Sequence, residues 1–188
     1  MVSLLSISNI FIAIMLISFI LQVTVPGYQD AFVFSSERAL FDPWRFFTAN
    51  FLHFNIIHLF LNVYSLFIIG NAIETVIKKS DFLKIFFLGS ALIYFEQWLA
   101  YSYEFGSYNI GLGSSGGISA LLAAAAFLMP GTAVKVFFIP VKIRNLAIIF
   151  FVIEFILFAI GNTTIAHDSH LIGGLFGLIY AKFFVRKS

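Results

Sequence analysis

The residues able to do chemistry in this chain are few, and most of them sit in apolar surroundings. Ser114 and Ser115 lie in a Gly113-Ser114-Ser115-Gly116-Gly117 tract at the mouth of an apolar run, Ile118 to Met129. A hydroxyl at a helix start, flanked by glycines that let another backbone approach, is how a nucleophile would be built inside a membrane. The competing reading is a Gly/Ser linker between two helices, since such clusters mark loops more often than active sites. Histidines at 53, 58, 167 and 170 could act as bases, and Glu96 and Glu154 lie inside apolar runs. The chain has no Cys, which removes thiol chemistry and any disulfide framework.

These groups need elements that position them, and composition says what kind. Of 188 residues, 61% are hydrophobic and 11% charged, and the mean hydropathy is +1.00. A soluble domain carries about a quarter of its residues as charge, so this chain reads as a polytopic membrane protein. Its 26 Phe suit lipid-facing and interhelical packing. The absence of a basic cluster interleaved with aromatics argues against nucleic acid as a partner.

Apolar runs cover roughly residues 4 to 25, 54 to 77, 82 to 103, 115 to 129, 145 to 161 and 169 to 185. The expectation is an all-α, six-span bundle forming a single domain over 1 to 188. The first run has neither a basic leader nor a cleavage site, so it reads as a retained span. Lys78, Lys79, Lys84, Lys135, Lys142, Arg144, Lys182, Arg186 and Lys187 fall on one side of six crossings, leaving only Arg38 and Arg45 elsewhere. The positive-inside rule makes that side the cytoplasm, with both termini there. The long connection from about 26 to 52 then faces outward, its Phe and Trp content suited to the membrane interface.

Span length adds depth. The run Ser115 to Met129 rises about 22 Å, short of a hydrocarbon core about 30 Å thick, so Ser115 is expected roughly 8 Å below the outer boundary. His170, about 18 Å from Lys182 along a helix, reaches a similar depth. Beneath Ser115 run Ser119, Ala123 and Ala126, and beneath His170 run Gly173, Gly177 and Ala181. Such stripes let two helix backbones approach closely in lipid.

Other polar groups have to be weighed against that pair. His58 and Asn62, at i and i+4, share a helix face and read as oxyanion donors alongside the Ser115 N–H, or as a packing hydrogen bond. His167, Asp168 and His170 carry an HxxH spacing, but the HExxH of membrane metalloproteases is absent, so no metal or other cofactor is expected. Asp168 lies about 200° round a helix from His170 and is expected to be a loop or cap residue, leaving a serine-histidine dyad. Glu96 and Glu154 raise a proton-coupled transporter as a rival, yet neither span shows the Gly/Pro break or repeat of one, and a carboxyl hydrogen-bonded between helices accounts for them. Gly70 beside Asn71 suggests a close helix contact, with Glu74 near the membrane surface.

Together these residues resemble the rhomboid intramembrane serine proteases over the whole six-span core. Four pieces carry the likeness: Trp44-Arg45, His58-x-x-x-Asn62, Gly113-x-Ser115-Gly116, and His170-x-x-Gly173-x-x-x-Gly177. The resemblance implies Ser115 as nucleophile and His170 as general base. It makes His58, Asn62 and the Ser115 N–H the oxyanion hole, and places Trp44-Arg45 in the structural first loop. One departure stands out: Ser119 occupies the place, four after the nucleophile, where the family often has an aromatic ring beside the histidine, which predicts a less firmly held His170. With no seventh span or soluble extension, the chain resembles the minimal form.

The expected function is therefore that of an intramembrane serine endopeptidase, multi-pass in the cell membrane, with transmembrane proteins as substrates and the lipid bilayer as solvent. The alternative class is a family member without catalysis that binds and escorts membrane clients; such members typically lack the serine or the histidine, and this chain has both.

Overall fold

The computed structural model describes residues 6–103, 110–161 and 166–185. Arg186, Lys187 and most of the connections 104 to 113 and 162 to 168 lie outside the described residues. Helices occupy all six apolar runs: α1 (Ile7–Thr24); α4 (Ile56–Ser65), continued by a π turn (Leu66–Gly70) and α5 (Asn71–Ile73); α6 (Lys79–Ser102); α7 (Ser115–Leu128); α8 (Ile143–Ala159); and α9 (His167–Phe183). Three stretches, Ile7–Thr24, Ile56–Ile73 and Lys79–Ser102, are long and apolar enough to cross a membrane on length and composition alone, and α7 is a shorter apolar helix.

Two of the apolar helices begin at side chains that accept from their free N–H groups. Ser6 caps α1 by accepting from the Asn9 N–H, and Asn55 caps α4 by accepting from the His58 N–H at 2.8 Å. The end of α1 comes just before Pro26 and Gly27, the latter at φ 77. Helix α7 is buried almost all round, as a short helix rich in Ala, Gly and Ser can be. It packs against α9, α6, α8 and the π turn, so it forms the centre of the bundle.

The long first connection is a folded layer, built from α2 (Tyr28–Phe32), β1 (Phe34–Ser35), α3 (Arg45–Thr48) and a 3₁₀ turn (Ala49–Phe51). Strand β1 pairs antiparallel with β2 (Ile110–Gly111), tying this layer to the residues just before the serine tract. Arg45, only 4% exposed, holds it together by donating to Asp42 Oδ2 at 2.9 Å and to the Asp30 and Val33 carbonyls at 2.7 Å each. Arg38, hydrogen-bonded to Asp42 at 2.6 Å, together with Arg45 holds the Asp42 carboxyl below the usual carboxylate range. Trp44 is half exposed, its indole N–H 3.4 Å from the Ala31 carbonyl. The Trp44-Arg45 pair thus divides into an exposed ring and a buried cation that orders the loop.

At the other end of the molecule, Glu74 accepts from the Ile7 and Ser8 N–H groups and from Ser8 Oγ, capping the start of α1. Asn71 accepts from Ser6 Oγ at 2.8 Å, and Gly70 leaves room for Ser8. The Gly70-Asn71 helix contact is there, and Glu74 completes it. A feature without a signal in the apolar pattern is a hairpin of β3 (Ala133–Val136) and β4 (Ile139–Lys142) between α7 and α8. Its turn holds Phe137 and Phe138 at positive φ, 45 and 76, and the Phe137 N–H donates to Tyr64 Oη at 2.6 Å while the two rings stack.

Candidate active site

Ser115 is the first residue of α7, so its backbone N–H has no partner within the helix and lies at the positive end of the helix dipole. Its side chain is partly exposed among otherwise buried neighbours. Gly113 sits two residues earlier at φ +111, and an added Cβ there would fall 2.6 Å from His58 Cε1. Glycine is therefore required twice over, for the backbone conformation and for the ring that packs on it. The Gly113 N–H donates to the Ala49 carbonyl, and its own carbonyl accepts from Tyr94 Oη, which fixes the entry to α7 from both sides.

Helix α9 reaches this point because it has no side chains in the way. A Cβ on Gly173 would overlap the Gly116 carbonyl, and one on Gly177 would overlap the Ala120 backbone. The two contacts are four residues apart on both helices, so α7 and α9 run parallel in register. Ser115 is one residue before its contact and His170 three before, which separates their levels by about 3 Å at 1.5 Å per residue. Ser119 is buried on α7, and the α7 residues that meet the α9 glycines are Gly116 and Ala120. No hydrogen bond joins Ser115 to His170.

On α4, Asn62 is buried and divided between two partners: Oδ1 accepts from Ser114 Oγ at 3.1 Å, and Nδ2 donates to the His58 carbonyl at 2.8 Å. One amide hydrogen remains. His58 packs on Gly113, stacks on Phe54 and meets His53 edge to face, and its Nδ1 has no partner. His53, just before α4, has both ring nitrogens buried without partners, and burial with the nearby His58 holds its pKa down to about 3.

His170 is held from α8. The Phe150 ring lies 5.7 Å from it at 41°, and one turn along the same face Glu154 Oε2 comes within 3.0 Å of His170 Nδ1. The same oxygen is 2.6 Å from His167 Nδ1 in an aligned hydrogen bond, whereas the His170 contact is close but off the hydrogen-bond axis. Glu154, His167 and His170 are all buried, and their ligand atoms lie within 4.8 Å of one another. The 2.6 Å separation is that of a hydrogen bond between carboxylate and imidazole. Asp168 is exposed and accepts from the Ser169 N–H, away from His170.

Comparison with known proteins decides the family. The sequence model of the Rhomboid domain matches residues 41–187. The chain belongs to the rhomboid family. Its curated relatives include presenilin-associated rhomboid-like protein A, mitochondrial, of Danio rerio, 26% identical over 137 residues and covering 70% of this chain and 35% of the relative. The Mus musculus protein of that name is 25% identical over 138 residues, with 72% and 36% covered, and the Bos taurus one 25% over 187 residues, with 86% and 48% covered. The chain spans about a third to a half of the length of these relatives. Membership places it among membrane-embedded proteins of an intramembrane protease family.

Within this rhomboid, the first-loop pair, the α4 pair, the serine tract and the α9 glycines all converge on one end of the bundle. One expectation needs correcting. Ser119 does not leave His170 unsupported, because Phe150 and Glu154 supply from α8 the contacts that α7 lacks. Ser114 is fully buried and donates to Asn62 Oδ1, which ties α7 to α4. Glu154 was legible only as a carboxyl between helices, since nothing in its span pairs it with a histidine 16 residues on. Gly174 is the one clue: its missing side chain admits the Phe151 ring and lets α8 close on α9.

Proposed function

We propose that this rhomboid is an intramembrane serine endopeptidase, a single six-span unit with both termini in the cytoplasm of a cell whose membrane it spans, acting on transmembrane segments of other proteins. The observation that carries it is the parallel, side-chain-free contact of α7 and α9, with Ser115 and His170 each within a turn of it. In this reading Ser115 Oγ attacks a substrate carbonyl while His170 accepts its proton. The oxyanion is met by the Ser115 N–H, the free Asn62 amide hydrogen and His58. His170 then protonates the departing amine, and water, deprotonated by the same base, releases the acyl group from Ser115.

Two features support the division of roles. Gly113 and the Ser114–Asn62 bond bring the α4 pair against the start of α7, where oxyanion donors must be. His58 Nδ1 is a buried ring atom without a hydrogen-bond partner, a polar group without a packing duty. The test is a fluorophosphonate probe on the purified protein: labelling that depends on both Ser115 and His170 is expected, and none would sink the protease reading. Recovery of membrane clients equally by the intact protein and Ser115→Ala, with no cleavage by either, would instead favour an escort.

A further inference from the structure

We infer that Glu154 is a positioning residue for the base, an inference that rests on the protease reading above. An imidazole has two nitrogens on opposite edges, and a base that exchanges protons with Ser115 must offer one while the other is kept protonated and oriented. At His170 the nitrogen facing α8 is Nδ1, 3.0 Å from Glu154 Oε2, which leaves Nε2 for the hydroxyl. Phe150, four residues before Glu154 on the same face of α8, lies against the ring itself. One helix face therefore supplies both a carboxylate for the edge and an aromatic surface for the plane. Gly174 lets that helix come close by admitting Phe151.

In proton terms, Ser115 Oγ–H passes to Nε2 as the Oγ–carbonyl bond forms, and Nδ1–H stays directed at Oε2. The carboxylate takes no proton; it faces the imidazolium that results. The off-axis contact of the resting state fits this, because Oε2 is then divided between two rings and favours His167. Charge on His170 during acylation draws the same oxygen toward it. A carboxylate shared by two imidazoles has a rival use, as a clamp between α8 and α9 acting through the shorter bond to His167. The two uses predict opposite orders of variants.

The experiment measures kcat and KM for cleavage of a transmembrane substrate peptide, with fluorophosphonate labelling and thermal stability, for wild type, E154Q, E154D and H167Q in detergent. Positioning predicts that E154Q lowers kcat at least about tenfold with KM within about twofold. E154D should recover part of the loss, and H167Q should stay within about threefold of wild type, since it frees Oε2 for His170. A clamp predicts that H167Q falls as far as E154Q, in stability as well as rate, and that result overturns the inference, as does an E154Q enzyme with wild-type kcat. Should E154Q fail to fold, E154D decides: kcat below both wild type and H167Q supports positioning, and wild-type kcat overturns it. Wild-type labelling that depends on Ser115, with no effect at Glu154, refutes this inference alone; absent labelling refutes the protease reading with it.

Discussion

Two buried polar clusters at opposite ends of the bundle use their hydrogen bonds differently. Around the start of α1, Ser6, Ser8, Asn71 and Glu74 close on one another and on backbone N–H groups, and none of their polar side-chain atoms is buried without a partner. Around the starts of α4 and α9, ring nitrogens of His53, His58 and His167 account for four of the seven buried side-chain polar atoms without a hydrogen bond among the described residues. Burying a polar group without a partner costs about 1–3 kcal/mol, so such groups persist where something other than stability retains them. The first cluster is what lipid-exposed helices need to fix their packing, and the second is the one that the proposed protease reading uses.

Replacing residues in each cluster tests that contrast, starting with the largest effect. Ser115→Ala should abolish cleavage and probe labelling while leaving thermal unfolding unchanged; residual cleavage would break the assignment of the α7 cluster to chemistry. Asn62→Ala should lower kcat by about 10² to 10³ if its free amide hydrogen meets the oxyanion, with a smaller loss of stability because the buried Ser114 hydroxyl keeps only its weak contact with Met15 Sδ. A rate within a few-fold of wild type would make Asn62 a packing residue.

Gly177→Val should cost both properties. Its side chain overlaps the Ala120 backbone and must push α9 from α7, destabilising by about 1–3 kcal/mol or more and separating the dyad; a stable, active variant would remove the basis for the shared depth of Ser115 and His170. In the opposite cluster, Glu74→Ala should destabilise by about 1–3 kcal/mol through the uncapped start of α1, while the labelling rate per folded molecule stays the same. Lost labelling at full stability would reverse the contrast.

The smallest effect concerns pH. His53 has a folded pKa of about 3 against 6.5 in the unfolded chain, so between those values the unfolded state binds the extra proton. Stability should be complete above pH 6.5 and decline as pH falls through that window. Thermal unfolding between pH 7 and 5 should show the decline, and His53→Gln should flatten it; parallel slopes would show that His53 is not held neutral by burial.

Much of this could be read from sequence because lipid imposes simple rules. Apolar runs of sufficient length became helices within a few residues of the expected ends, since a backbone in hydrocarbon has to satisfy its own hydrogen bonds. The glycines at 113, 173 and 177 were informative because each marks a place where another chain segment comes too near for a Cβ. Folding of the first loop around Arg45 was less legible, because its carbonyl partners carry no side-chain signature. The β3–β4 hairpin left no mark in hydropathy, and its two positive-φ phenylalanines are residues that turn rules would not choose.

Sequence by itself determined the class of solvent and the places of the apolar helices, and its family motif points to Ser115 and His170 as the proposed nucleophile and base. It did so because periodicity, glycine spacing and hydropathy are local properties. Only the tertiary structure decided what stands around the base. Phe150 and Glu154 reach His170 from a different helix, and Ser114 reaches Asn62 across 52 residues, contacts that depend on how closely α8, α9, α4 and α7 pack. A side chain's chemistry is written at its own position; the partner that orients it is set by the separation of helix axes, which no local pattern records.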